Sequence, residues 1–304
     1  MCLYPKLIPN PHYLPNKKNG GIIPKCDDKR KLTVPAACGR CAECRKKKVR
    51  EWRIRIEWEN KTNKEPVKFV TFSFSEESLN ALPEDANVAA KRAVRNWVHR
   101  CVKKTGKSPK YWLCPELGQN NTERLHLHGI IWTRHQEHYD EWKYGNVKLE
   151  TATEETVGYC TKYILKPDEA HPTFYAEMIC SKGIGKDFIN SEDAKQLQRK
   201  SAEDKEFLRA KNGKKINVPQ YWRRKLFDED ELGAKWVAKL NKNERYVAGV
   251  KIKMKTKEDW EYFFKVQEEE RERTIAVGYP KFPWDKKKYF ESRKKVDKNL
   301  QNTE

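Results

Sequence analysis

Residues 124–133 read RLHLHGIIWT, and this stretch decides the architecture. In an extended strand successive side chains point to opposite faces. His126, His128 and Ile130 therefore fall on one face, and Leu125, Leu127 and Ile131 on the other. The leucine face suits packing on helices. The histidine face sets two imidazoles about 7 Å apart along the strand, near enough to converge on one divalent ion. Neutral imidazole is a good ligand for manganese, zinc and similar ions, and is compatible with magnesium when a carboxylate completes the set. The plainer alternative is a strand with two partly exposed histidines. His135 and His138, just past the strand in a polar segment, read as solvated surface.

Upstream, Tyr111–Glu116 is a second strand and Leu117–Glu123 a polar turn, so the two strands are expected to pair as a hairpin. Trp112, Cys114 and Glu116 alternate onto one face, and the hairpin brings Glu116 beside the histidines. Two histidines and one glutamate leave coordination positions open for water and a phosphate oxygen, as a catalytic metal site requires.

Further out, Val67–Phe74 (VKFVTFSF) reads as a strand and Asn146–Glu150 as a short one. Residues 85–103 form an amphipathic helix with Ala90, Val94, Trp97 and Cys101 on one side. Thr153–Leu165 is a second helix, acidic at its start and followed by lysine, which suits the helix dipole. The order strand–helix–strand–strand–helix gives an α+β fold with helices on one face of a sheet. Residues 1–34 read as an irregular arm, followed by a basic helix around 42–58 with a modest stripe of Val49, Trp52 and Ile56. Beyond Pro167 the pattern loosens: a polar helix or linker over 191–215, a strand over 245–255, a helix over 256–272, and a lysine-rich tail from Lys286 that frays.

The helix at 153–165 runs into the stretch YCTKYILK, where Tyr159, Lys162, Tyr163 and Lys166 stand at i, i+3, i+4 and i+7, one face of a helix. Two phenols and two ammonium groups make an odd stripe for a core helix. A tyrosine hydroxyl ionises near pH 10, so attack on a phosphodiester needs nearby positive charge and a polarised phosphate. The lysines and the metal would supply both. The alternative is an ordinary amphipathic face, where tyrosine and lysine are common together.

The chain of 304 residues carries a formal net charge of +20, and 36% of its residues are charged. That balance points to a polyanionic partner, nucleic acid being the commonest, although ribosomal and membrane-surface proteins share it. No apolar run approaches the roughly 20 residues of a membrane helix, and MCLYPKLIPN lacks the layout of a secretory signal. The expectation is a cytoplasmic protein whose nine cysteines are thiols or metal ligands rather than disulfides. Cys38, Cys41 and Cys44 form a C-x2-C-x2-C run that Cys26 or Cys2 would complete as a structural zinc site. An iron–sulfur cluster and a metal-free group of thiols are the rivals. Cys101, Cys114, Cys160 and Cys180 read as core residues. Arg45, Lys46, Lys47, Lys48, Arg50 and Arg53 form a dense basic stripe assigned here to DNA contact. Arg223, Arg224 and Lys225, after Tyr221 and Trp222, pair cations with aromatics in the manner of single-strand binders or of a solvated face.

Together VPAACGRCAECRKKKVREWRIR, FVTFSF, ELG with RLHLHGIIW, GYCTKYILK, SKGIGKDFI and VPQYWRRKLF, spanning residues 34–227, resemble the HUH endonucleases, named for histidine-hydrophobic-histidine. More narrowly the chain looks like the replication initiators of the microviruses, small single-stranded DNA bacteriophages. The resemblance implies a central antiparallel sheet in an HUH core over residues 61–190, a Cys-rich arm and helix over 1–60 and a basic extension over 191–304. It implies Mg or Mn on His126, His128 and Glu116, with Glu116 the ligand type that varies most among such enzymes. It also implies that Tyr159 and Tyr163 are nucleophiles that cut single-stranded origin DNA, one staying joined to the 5′ end. The freed 3′ hydroxyl would prime rolling-circle synthesis by the host helicase and polymerase in a bacterial cytoplasm, and the second tyrosine would release a circle. A non-catalytic single-strand-binding protein and an HUH transposase or relaxase are the competing readings.

Overall fold

In the computed structural model, the described residues are all except 119–123, 166, 168–169, 173, 204–205, 210–212 and 299–304, with the side chains of 154–155, 160, 162–163 and 294–298 also excluded. The strands are β1 (Lys6–Pro9), β2 (Thr33–Ala36), β3 (Val67–Ser73), β4 (Lys110–Leu117), β5 (Leu125–Trp132), β6 (Val147–Thr151), β7 (Ile179–Cys180), β8 (Phe207–Arg209), β9 (Lys215–Asn217), β10 (Glu244–Val247) and β11 (Val250–Lys253). The helices are α1 (Ala42–Thr62), α2 (Glu76–Asn80), α3 (Ala86–Thr105), α4 (Glu137–Asp140), α5 (Glu154–Leu165), α6 (Glu192–Gln198), α7 (Gln220–Leu226), α8 (Glu229–Asn241), α9 (Lys257–Ala276) and α10 (Lys286–Lys298). None of the described helices is long and apolar enough to cross a membrane. By internal contacts the chain forms two units, one of Lys48–Phe188 and one of Met1–Lys47 with Ile189–Glu304.

The Lys48–Phe188 unit is built on a five-stranded sheet in the order β6-β3-β5-β4-β7, antiparallel throughout. The fold is α+β with a central antiparallel sheet. Period-two alternation assigns the faces. Val70, Phe72, Leu113, Leu125, Leu127 and Ile131 pack against Ala90, Val94 and Trp97 of α3. That helix starts where Asp85 accepts from the Val88 amide at 2.9 Å and stops at Gly106, left-handed at φ 71°. Phe69, Trp112, Cys114, Ile130 and Trp132 line the opposite face with Val49, Trp52 and Ile56 of α1 and Val157 and Ile164 of α5. Both faces are therefore covered, where the element order alone gave helices on one. Each face needs its own apolar cover, and the charged surface of α1 hides how much of it is buried. Gly129 makes the close strand pairing possible: a Cβ there would stand 2.0 Å from the Trp112 carbonyl oxygen.

The other unit joins the two ends of the chain. β1 and β2 pair antiparallel from Lys6↔Ala36 to Pro9↔Thr33, so the N-terminal arm is a ribbon rather than irregular chain. β8 pairs with β9, and the expected strand at 245–255 is the hairpin β10–β11. Leu3, Tyr4, Cys41, Cys44, Val247, Ile252, Phe263, Phe264 and Tyr289 share one core. The tail from Lys286 is helical as α10, with Tyr289 buried, where a frayed end was expected.

Candidate active site

The strand register sets the site in rungs across β3, β5 and β4. Ser73, His126 and Glu116 are opposite one another, and so are Thr71, His128 and Cys114. Below them lies the rung Phe69, Ile130 and Trp112, which is buried in the core under α1 and α5. The histidine face is thus apolar at one end and open at the other, and His126, His128 and Glu116 are half-buried at the open end.

His128 is held on three sides. Its Nε2 lies 2.9 Å from Glu116 Oε2, and its Nδ1 lies 3.1 Å from the Thr71 hydroxyl. Its ring is nearly parallel to Phe69 (centroids 6.1 Å apart, 9° between planes) and to His126 (6.3 Å, 21°). Since a hydroxyl both donates and accepts, Thr71 is compatible with either tautomer. When Nδ1–H donates to Thr71, the Nε2 lone pair points to the side where Glu116 presents its carboxylate. This is the outer support usual for a metal-binding imidazole. Two imidazoles and a carboxylate share this half-exposed face, a donor chemistry suited to a divalent ion, although among the described residues the group whose ligand atoms all lie within 4.8 Å of one another is Cys2, Cys38, Cys41 and Cys44.

Among the described side chains, Tyr159 stands at this face. Its ring stands edge-on to His128 at 6.4 Å and to Phe69 at 5.9 Å, and 47% of the residue is exposed. Val157 and Ile164 anchor α5 in the core, so the tyrosine is carried on a fixed element. The side chains of Lys162 and Tyr163, and Lys166 altogether, lie outside the described residues.

Two cations stand near α5 and the histidine face. Arg53 on α1 reaches α5, its Nη2 standing 3.5 Å from where a Gly158 Cβ would be. Lys148 on β6 shares the histidine face through its register with Thr71. The Glu150 carboxylate, 2.7 Å away, raises the Lys148 pKa, and the charge of a Tyr159 phenolate acts in the same direction. Sequence reasoning missed Thr71 and Lys148. Alternation across paired strands would have found both, given the register.

Among the basic stripe, Lys47, Arg50 and Arg53 are exposed at three-residue spacing. Arg45 is buried, donates from Nε to the Arg40 carbonyl at 2.9 Å, and lies over the Tyr279 ring at 5.2 Å. Lys46 pairs with Glu43 at 3.0 Å, and Lys48 donates to the Tyr175 hydroxyl at 3.1 Å. In the second basic patch Trp222 is fully buried and Arg223 pairs with Glu206 at 2.9 Å. Cys114, opposite His128 on β4, is fully buried, and burial pushes its thiol pKa to about 12, so it stays protonated. Cys101 is likewise a core thiol, while the Cys160 side chain is outside the described residues.

Two expectations are corrected. His138 is buried, not solvated: its Nδ1 is 2.8 Å from the Thr133 hydroxyl and its Nε2 2.8 Å from that of Thr105. Cys26 stands apart from the other predicted zinc ligands, its thiol donating to the Asp28 carbonyl at 3.0 Å. The residue that joins Cys38, Cys41 and Cys44 is Cys2.

Residues 67–168 match the family model of the ORF2-type replication-associated proteins. The matched span runs from β3 through α5 and takes in Glu116, His126, His128, Tyr159 and Tyr163. No curated protein and no solved structure matches the chain.

Proposed function

We propose that the chain initiates rolling-circle replication by nicking and rejoining single-stranded origin DNA through a covalent 5′-phosphotyrosine. The observation that carries this reading is Tyr159 standing edge-on to His128, 6.4 Å away, while His128 meets Glu116 at 2.9 Å. The similarity of residues 67–168 to replication-associated proteins supports the biological setting.

In the proposed reaction the Tyr159 hydroxyl gives up its proton and its oxygen bonds to the scissile phosphorus. The bond from phosphorus to the 3′ oxygen breaks, and that oxygen takes up a proton and leaves as a 3′ hydroxyl. One phosphodiester replaces another, so the bond energy is conserved for rejoining. His126, His128 and Glu116 would hold Mg or Mn, which supplies charge stabilisation at the phosphate. Thr71 keeps the His128 ring oriented. Arg53 and Lys148 bring positive charge to this face, which draws in the phosphate. Tyr163, one helical turn on, would make the second cut. The free 3′ hydroxyl suits extension by a host polymerase and helicase in a bacterial cytoplasm.

The test is incubation of the protein with a labelled single-stranded origin oligonucleotide and Mn. A covalent adduct mapping to the Tyr159 peptide is expected, absent in Tyr159→Phe, with His126→Ala and His128→Ala binding DNA but not cutting it. Binding with no adduct in the wild type would leave a non-catalytic single-strand-binding protein. A Tyr163→Phe variant that still cuts and rejoins fully would indicate one-tyrosine chemistry, as in HUH transposases.

A further inference from the structure

Cys2, Cys38, Cys41 and Cys44 come together at the start of α1, with every sulfur within 4.8 Å of the others. The β1–β2 ribbon explains why Cys2 rather than Cys26 is the fourth member. Its register pairs Lys6 with Ala36, so residues just before β1 and just after β2 leave the same end of the ribbon. Cys2 and Cys38 are on that end. Cys26 belongs to the connection that closes the other end, beyond Pro9↔Thr33.

The distances suit one ion. Cys38 Sγ is 3.9 Å from Cys44 Sγ, and Cys41 Sγ is 4.0 Å from Cys2 Sγ. A tetrahedral centre with zinc–sulfur bonds of about 2.3 Å requires sulfurs about 3.8 Å apart. The cysteines are not disulfide-bonded, and a multi-iron cluster set between the sulfurs would hold them further apart than a single ion does.

Three of the four sulfurs accept backbone amides, as thiolates do. The Cys38 and Tyr4 amides donate to Cys2 Sγ at 3.2 and 3.4 Å, the Leu3 amide to Cys41 Sγ at 3.4 Å, and the Cys41 amide to Cys38 Sγ at 3.4 Å. A thiol sulfur is a weak acceptor, whereas a thiolate rewards four directed amides. The group also stands at the N-terminus of the 21-residue α1, where the helix dipole favours negative charge.

We propose that Cys2, Cys38, Cys41 and Cys44 bind one Zn2+ as a closed tetrathiolate that ties the first residues of the chain to the first turn of the basic helix α1. Binding releases the four thiol protons and leaves a centre of net charge −2, with no change in oxidation state. All four positions are protein ligands, so the ion is structural, unlike one held on the histidine face with positions left open.

The full chain, purified without chelator, should carry one zinc per molecule by elemental analysis. Exchange with Co2+ should give the intense visible absorption of tetrahedral cobalt thiolate. Cys2→Ser should lose the zinc, while Cys26→Ser should keep it. Iron in place of zinc, metal-free wild-type protein with four freely reacting thiols, or a Cys2→Ser variant that retains full zinc would overturn the proposal. The wild-type metal content and cobalt spectrum hold as tests even if Cys2→Ser misfolds. Every readout is metal content or spectrum, so the result is independent of whether Tyr159 cuts DNA.

Discussion

His128 touches Glu116 through one ring nitrogen and Thr71 through the other, so the hydroxyl is what fixes the direction of the nitrogen facing the carboxylate. Thr71→Val keeps the shape and removes that partner. Losing such a support to a metal-bound imidazole typically weakens metal affinity or activity about 10- to 100-fold. For Thr71→Val the expected result is a rise in the Mn concentration needed for half-maximal cleavage, with cleavage largely recovered at saturating Mn. An unchanged Mn dependence would remove Thr71 from the site. His138 poses a different residue-scale question, of stability rather than chemistry. Burial first, and then the neighbouring His135, lowers its pKa below the ordinary histidine value. The folded state therefore prefers the neutral ring. Its contribution is fully present above the unfolded pKa of about 6.5 and is lost as pH falls through the folded value, because the unfolded chain then binds the extra proton. Urea unfolding of the wild type should show stability falling below about pH 6.5, and His138→Gln should flatten that part of the profile. Equal slopes in the two proteins would show that His138 is not its source.

At the scale of elements, α1 does two jobs on different faces. Val49, Trp52 and Ile56 cover the histidine side of the sheet, while Lys47, Arg50 and Arg53 stay exposed at three-residue spacing. The exposed three form the part of the basic stripe suited to a phosphate backbone, since Arg45 is buried and Lys46 meets Glu43. Neutralising one single-strand phosphate contact lowers the slope of log affinity against log salt by about 0.7. Changing all three residues to alanine should reduce the slope by about 2, whereas Arg45→Ala should act on stability. A slope unchanged in the triple variant would place the DNA elsewhere. The same helix shows where sequence stops being informative. The period-two pattern of β5 identified both of its faces, and the expected β4–β5 hairpin brought Glu116 beside the histidines, because strand alternation and hairpin pairing are local. What covers each face depends on distant elements: a charged helix gives little sign that its minor stripe is buried. The Cys2 pairing rests on a ribbon joining Lys6 to Ala36, and the burial of His138 rests on Thr105 at the end of α3. Neither partner is within a turn's reach in sequence, so neither left a pattern to read.

At the scale of the whole molecule, the net charge of +20 favours encounter with any polyanion, and the chain divides into two units by internal contacts. The first residues belong to the same core as α9. Leu3 is fully buried, its carbonyl accepts from Arg271 Nε at 2.8 Å and Nη2 at 2.6 Å, and the Arg271 guanidinium lies 3.9 Å from the Trp284 ring centroid. The N-terminus is thus a core element of the unit that holds Ile189–Glu304, despite the long stretch of sequence between them. Leu3→Ala, which leaves Cys2 in place, removes a buried side chain at a cost of about 2–5 kcal/mol. If the units open separately, that loss should appear as faster amide exchange in α9, β10 and β11, with protection in β3, β4 and β5 unchanged. Hydrogen-exchange mass spectrometry reads both regions in one experiment. An equal loss of protection in the sheet would mean that the two units open as one, and that the candidate active site depends on the packing of Leu3.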